Sequence, residues 1–332
     1  MEVDAAELVA LASAHPVPEE LSPLTGDGLL VVRDTQSRGR SADVARWLRG
    51  VPAVTVLVGP GADPPDGFDV YVTGLADPPP PWVHAPVAGV VDAVRAQPLV
   101  SLAAVALLRA SEGADTWSGL AAESATYAAL LASAPFAAWR EARPPRPAVP
   151  AAEPPVLVDR HDGCLRIVLN RPRVHNAIDS AVRDALVEAL AVAVADASVD
   201  LVEIAGAGPS FCSGGDLEEF GTTDDPATAH AVRLTRHPAR WIDLCAARVV
   251  VHAHGACLGA GIELASFAGR IVATPDAYFG LPEVALGLVP GAGGTVGIPR
   301  RIGRARAAWM VLTGARLDAP TALAWGLVDA VE

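Results

Sequence analysis

Residues 143–155 read RPPRPAVPAAEPP. Neither a helix interior nor a central strand tolerates proline at that density. An extended, semi-rigid connection is expected instead. The segment divides the 332-residue chain into two parts, each of the size of a modest domain. Four regions follow: a reduced α/β region at 1–85, a helical region at 86–142, the linker at 143–155, and a larger α/β unit at 156–332.

The first part holds three short β-rich runs, Leu29–Arg33, Val54–Val58 and Phe68–Thr73. Gly/Pro clusters such as GPGADPPDG separate them. Two helices are predicted next, over Val87–Leu108 and Leu120–Ala142, from the near-helical spacing of Leu99, Leu102, Ala103, Ala106 and Leu107 and of Ala121, Tyr127, Leu130 and Leu131. Gly59-Pro60-Gly61 is a turn rather than a phosphate loop, because neither a Lys nor a helix start follows it. In the second part, strands are predicted at Leu165–Leu169, Leu201–Ala205, Arg248–Ala253 and Ile271–Ala273. A helix over Ser180–Ala195 is capped by Asp179 or Ser180. Alternation of this kind makes an α/β fold whose strands are covered by helices.

Composition excludes several classes of function. Half the chain is apolar (51%), so a sizeable core is available, yet no apolar run is long and uninterrupted enough to span a bilayer. The net charge is −13, and all 25 basic residues are Arg. Without a basic patch, an acidic chain is a poor partner for nucleic acid. A small anionic ligand remains possible through a few arginines and backbone N–H groups. Cys164, Cys212, Cys245 and Cys257 form no CxxC pair and are expected to be free thiols. Glu2, Asp4 and Glu7 stand where a secretory signal would carry positive charge, so a cytoplasmic protein is expected.

Chemistry concentrates in three glycine-rich segments: Gly206–Leu217 (GAGPSFCSGGDL), which follows a strand; His254–Ala265 (HGACLGAGIELA), a strand-to-helix turn; and Phe279–Thr295 (FGLPEVALGLVPGAGGT). Small residues allow a backbone to approach a ligand closely. The N–H groups that open a helix carry partial positive charge and suit an anion or a developing oxyanion. By themselves, Glu263 in the first turn of that helix reads as a dipole-stabilising residue and Glu283 as a solvated loop charge. Cys212 has no base near it in sequence, and the 291–295 run lacks the Lys of a triphosphate-binding loop. His252 and His254 share one strand face but have no third ligand at useful spacing, so a structural role is favoured over a metal.

Taken together, FCSGGDL, HGACLGAGIELA and LPEVALGLVPGAGGT, with Asn170-Arg171-Pro172, Asn176-Ala177 and Gly326-Leu327-Val328-Asp329, resemble the crotonase (enoyl-CoA hydratase/isomerase) superfamily over residues 156–332. The resemblance implies a ClpP/crotonase-type core behind the smaller N-terminal α/β region and its two helices. It implies an oxyanion hole made by the N–H groups of Gly215 and Ala260. It makes Glu263 the residue that activates water and Glu283 the one that exchanges a proton at the α carbon. It places coenzyme A against Arg173, Val174 and His175 and against Ser213, Gly214, Asp216, Leu217 and Gly259, with Arg171 and Arg173 as candidate phosphate partners.

Hydration of a 2-enoyl-CoA is the implied reaction. The alternatives are double-bond isomerisation, thioester hydrolysis, carbon–carbon cleavage or a non-catalytic acyl-CoA-binding role. The family needs no metal or redox cofactor and assembles as trimers or dimers of trimers. One departure stands out. The chain stops at Glu332, where family members continue into a helical tail. The stretch from Ala96 to Trp139 resembles that tail, displaced to a position before the core. Residues 29–73 would then be a remnant of a duplicated domain.

Overall fold

The computed structural model describes residues 1–14, 18–34, 41–144, 154–223 and 225–332. The N-terminal part contains β1 (Glu2–Asp4), α1 (Ala5–Ala14), β2 (Leu29–Arg33), α2 (Ala42–Gly50), β3 (Val54–Val58), β4 (Val70–Thr73) and β5 (Val83–His84). The five strands pair in chain order, and every pairing is parallel. A parallel sheet is buried on both faces, so its central strands read as unbroken apolar runs. Leu29-Leu30-Val31-Val32 does so, and Val54–Leu57 is interrupted only by Thr55; each of those positions is buried.

Two predicted helices are four in the structure. The first stretch divides into α3 (Val87–Ala96) and α4 (Pro98–Ser111), the second into α5 (Thr116–Leu131) and α6 (Ala134–Ala142). Prolines cause both breaks. Pro98 pushes Gln97 out of the helical region to φ −139°, ψ 63°, and the two axes bend by 111°. Ser133, at φ −93°, ψ 155°, leads into α6 with Pro135 in its first turn. Among the described residues no single helix is long and apolar enough to cross a membrane; α3 and α4 would qualify only as that bent pair.

The second part runs β6 (Val156–His161), β7 (Cys164–Leu169), α7 (Ser180–Ala195), β8 (Leu201–Gly206), α8 (Pro226–Thr235), α9 (Pro238–Leu244), β9 (Val249–Ala253), β10 (Ala256–Leu258), α10 (Ala260–Ala265), β11 (Arg270–Ala273), β12 (Tyr278–Gly280), α11 (Gly294–Ile302), α12 (Arg304–Thr313), β13 (Leu317–Asp318), α13 (Ala319–Trp325) and β14 (Ala330–Val331). Its main sheet has the order β14-β11-β9-β8-β7-β6, parallel except for β6. That edge strand folds back on β7 through Asp162-Gly163, both at positive φ (44° and 80°), the backbone a two-residue hairpin requires. A smaller sheet, β10-β12-β13, stands beside it. Asp179 caps α7 by accepting the Val182 N–H at 2.8 Å.

The two parts share a core. Val100, Ala104, Leu107, Leu120, Tyr127 and Phe136 of α4–α6 belong to the same buried cluster as Phe267, Val296, Ile298 and Met310. A buried ion cluster joins them a second time. Asp69, fully buried at the head of β4, accepts from Arg109 Nε of α4 at 2.8 Å and from Arg304 Nη1 of α12 at 3.1 Å. The predicted linker lies mostly outside the described residues, at 145–153.

Candidate active site

Two bridges hold the first glycine-rich segment, one against the second segment and one against the turn before α7. Cys212 pairs with Cys257, donating its N–H to Ala256 O at 3.0 Å and accepting from Leu258 N–H at 3.0 Å. Gly215 pairs with Ile178 in the same parallel pattern, through Ile178 N–H to Gly214 O and Asp216 N–H to Ile178 O. That pattern uses the groups flanking Gly215 and turns its own N–H to the opposite side. Ala260 opens α10, so its N–H is one of the donors a helix leaves without an internal acceptor. Gly215 and Ala260 line one cavity of about 460 Å³.

The close approach demands glycine. Gly259 sits at φ 48°, and a Cβ there would stand 2.6 Å from Glu283 Oε1. A Cβ on Gly294 would come within 2.8 Å of the Glu263 side chain.

Glu263 and Glu283 both line this cavity, and both are almost wholly buried, at 2% and 7% exposure. Reading either as a solvated charge is therefore ruled out. Glu263 Oε2 accepts the N–H groups of Ala292 at 2.7 Å and Gly294 at 2.9 Å. Burial pushes its carboxyl up to about 7, against those donors. Glu283 Oε2 is buried with no hydrogen-bond partner. Burial first, and the Glu263 charge second, hold its carboxyl well above the ordinary range.

The structure separates the other predicted site residues. Asp216 lines the cavity, but its carboxylate accepts from Arg171 Nη2 at 3.0 Å. Arg171 also reaches Asp179 at 3.2 Å and Ala177 O at 2.6 Å, so its guanidinium braces the loop and is not free for a phosphate. Arg173 and His175 are exposed on the same turn, and His175 Nδ1 lies 2.9 Å from Ser210 Oγ. Val174 is buried. Ser213 donates its N–H to His175 O at 2.9 Å and so ties the two candidate CoA-contacting loops together. Gly214 (φ 107°) packs where a Cβ would lie 3.3 Å from Leu258 O and 3.7 Å from Gly259 Cα. Leu217 is half-buried beyond it. Beside the bridge, the Cys212 thiol is fully buried and pushed up to about 12 by desolvation, which makes it a poor nucleophile. His254 Nε2 lies 2.9 Å from Gly208 O, and His252 faces Glu203 at 3.5 Å.

Sequence reasoning offered 86–142 as the displaced tail but named none of its residues as part of the site. Tyr127 of α5 lines the cavity. Its ring lies against Gly291, where a Cβ would be 2.5 Å away, and carries the Arg233 guanidinium 4.6 Å from its centroid. Glu123, one turn earlier, is completely buried and hydrogen-bonded to the 293–295 backbone. Both residues stand in the tail-like stretch, but only the tertiary fold shows what they meet. His237, with Nδ1 buried and unpartnered, lines the far side.

With this geometry in view, comparison with known proteins is direct. The family profile for enoyl-CoA hydratase/isomerase matches residues 159–332. The 2,3-dehydroadipyl-CoA hydratase of Escherichia coli K12 is 38% identical over 178 residues, spanning 53% of this chain and 68% of that protein. Among solved structures, an enoyl-CoA hydratase from Thermoplasma volcanium GSS1 superposes with a TM-score of 0.51 at 34% identity, covering 54% of this chain and 72% of that one. One from Bacillus anthracis gives 0.50 at 33%, covering 54% and 70%. The chain belongs to the enoyl-CoA hydratase/isomerase family, and it spans about two thirds of the length of these relatives.

Proposed function

We propose that the protein is an enoyl-CoA hydratase. One observation carries the reading: two buried carboxylates, Glu263 and Glu283, share a cavity with the outward-turned N–H groups of Gly215 and Ala260. In the proposed reaction the thioester oxygen lies between these two N–H groups. They stabilise the enolate that forms as water adds to the β carbon, and one such donor is worth ~3–4 kcal/mol of barrier. Glu263, with its proton affinity near neutrality, takes a proton from the water. Glu283, held protonated by burial and by its neighbour, gives its proton to the α carbon. Two carboxyl groups whose environments push their proton affinities upward to different extents suit a base and an acid. The unpartnered Glu283 Oε2 fits the same reading, because a buried oxygen left without a donor costs about 1–3 kcal/mol and is relieved by substrate or water.

CoA enters as part of the substrate, and the two carboxylates and two amides complete the chemistry without a metal or redox cofactor. Helices α3–α6, set against α11 and α12 and contributing Tyr127 to the cavity, take the part of the displaced tail. Residues 1–85 are proposed as the remnant of a duplicated domain, and the assembly as a cytoplasmic trimer or dimer of trimers.

The test is loss of the conjugated-thioester absorbance of crotonyl-CoA and longer 2-enoyl-CoAs. Hydration at any chain length, abolished in Glu263→Gln and Glu283→Gln, supports the reading. Measurable acyl-CoA binding with no hydration at any length overturns it.

A further inference from the structure

The turn at 291–295 has four consecutive N–H groups, and two carboxylates divide them alternately. Ala292 and Gly294 donate to Glu263 Oε2. Gly293 donates to Glu123 Oε1 at 2.6 Å and Thr295 to Glu123 Oε2 at 2.9 Å. The Thr295 hydroxyl adds a third donor to Glu123 Oε2 at 2.6 Å. Glu123 comes from α5, 170 residues earlier in the chain.

A carboxylate that receives three donors and is completely buried is held as tightly as a side chain can be. Its own helix is fixed in turn. Ser124 Oγ lies 2.8 Å from His230 Nδ1 and accepts from Arg233 Nε at 3.2 Å, both on α8. The loop conformation that aims two N–H groups at Glu263 is thus the one in which the intervening two are bound by Glu123. Neither set can move without the other.

We propose that Glu123 is a positioning residue for Glu263, acting through the 291–295 turn; this rests on the hydratase reading of the site. It touches no reacting atom. Glu263 on α10, Glu283 at the 283–286 turn, Tyr127 on α5 and Arg233 on α8 are the titratable and charged groups around it. Burial first, and the Glu263 charge second, push the Glu123 carboxyl up to about 8, against its Thr295 and Gly293 donors, so near neutral pH it serves as the acceptor that holds the turn. The Ala292 and Gly294 N–H groups aimed by that turn favour the ionised form of Glu263.

The experiment is Glu123→Gln, which keeps shape but sets an amide donor against the donors of the turn. Two readouts are followed against pH: kcat on crotonyl-CoA, and the infrared carboxylate band of Glu263, isolated by subtracting the spectrum of Glu263→Gln. The expected result is a kcat lower by roughly 10–100-fold with KM little changed, and the ionisation of Glu263 moved to higher pH, because its Ala292 and Gly294 donors are held less firmly. Thr295→Val, which removes one donor only, moves it the same way by less, and serves if the first variant does not fold. A Glu263 ionisation that stays in place in a folded variant overturns the proposal, because a merely structural Glu123 would lower the melting temperature without moving that titration. The infrared arm needs no turnover. A shifted band in a protein that hydrates no enoyl-CoA would keep the role of Glu123 and reject the hydratase reading.

Discussion

Asp69 and the Glu123–Glu263–Glu283 group are both buried carboxylate sites at which the N-terminal part meets the second part, and they are built in opposite ways. Asp69 is surrounded by cations: Arg109 and Arg304 reach it, and the Thr55 N–H and hydroxyl donate at 2.9 Å each. The three glutamates are held by amide dipoles or by nothing. Glu263 and Glu123 take backbone N–H groups, and Glu283 Oε2 has no partner. Paired charges fix two elements together and have no reason to move protons. Carboxyls with dipoles but no counter-charge keep their protons toward neutral pH, where acid–base work is done. The first arrangement joins; the second is suited to acid–base work.

The largest test of that contrast is catalytic. Glu263→Gln and Glu283→Gln are each expected to lower kcat for enoyl-CoA hydration by ~10²–10⁴-fold, while the folded protein keeps its melting temperature, since neither loses an ion pair. A wild-type rate in either variant would remove that glutamate from the chemistry.

Asp69→Ala should do the reverse. It strands Arg109 and Arg304, both about one-tenth exposed, and breaking a buried pair costs ~3–5 kcal/mol. Denaturant unfolding reads this directly, and a loss under 1 kcal/mol would make the cluster ornamental.

The pH dependence of stability reports on the glutamate site. The Glu263 and Glu123 carboxyls are raised above their ordinary value of 4.5, to about 7 and about 8. A raised carboxyl binds its proton more tightly in the folded state, so its contribution to stability is fully present below about 4.5 and is lost as pH rises through 7 to 8. The denaturation midpoint should fall across that window, and Glu263→Gln should flatten the fall. A midpoint that rises from pH 5 to 8 would contradict the burial of these groups in uncharged surroundings.

The smallest effect belongs to a site with no part in either cluster's chemistry. Asp179→Ala removes the α7 cap and should cost ~1 kcal/mol. It also frees one side of Arg171, so a loss well above 2 kcal/mol would show that the Arg171–Asp179–Asp216 brace, rather than the cap, dominates there.

Local signals made much of this legible. The glycines at 214 and 259 announce backbone that side chains cannot occupy, the β-rich runs at 29–33 and 54–58 announce strands, and Asp179 announces a helix start. Each depends on a few adjacent residues. Pro98 and Pro135 were equally visible, yet apolar spacing continued past them and hid the helix breaks. The hairpin at Asp162-Gly163 carried a two-residue turn signal that the strand pattern of β6, exposed along five of its six residues, did not support.

The sequence by itself determined the α/β class and the three glycine-rich segments, whose combined motifs, with the two glutamates among them, resemble the family, because those are properties of short windows with fixed backbone demands. Only the tertiary structure decided that Glu263 and Glu283 are buried, with no cation paired to them among the described residues, and that Arg171 is consumed by Asp179 and Asp216. It alone showed that α5 closes the cavity with Tyr127 and Glu123. Those facts rest on packing between residues up to 172 positions apart, and no local pattern encodes which distant donors a buried carboxylate will find.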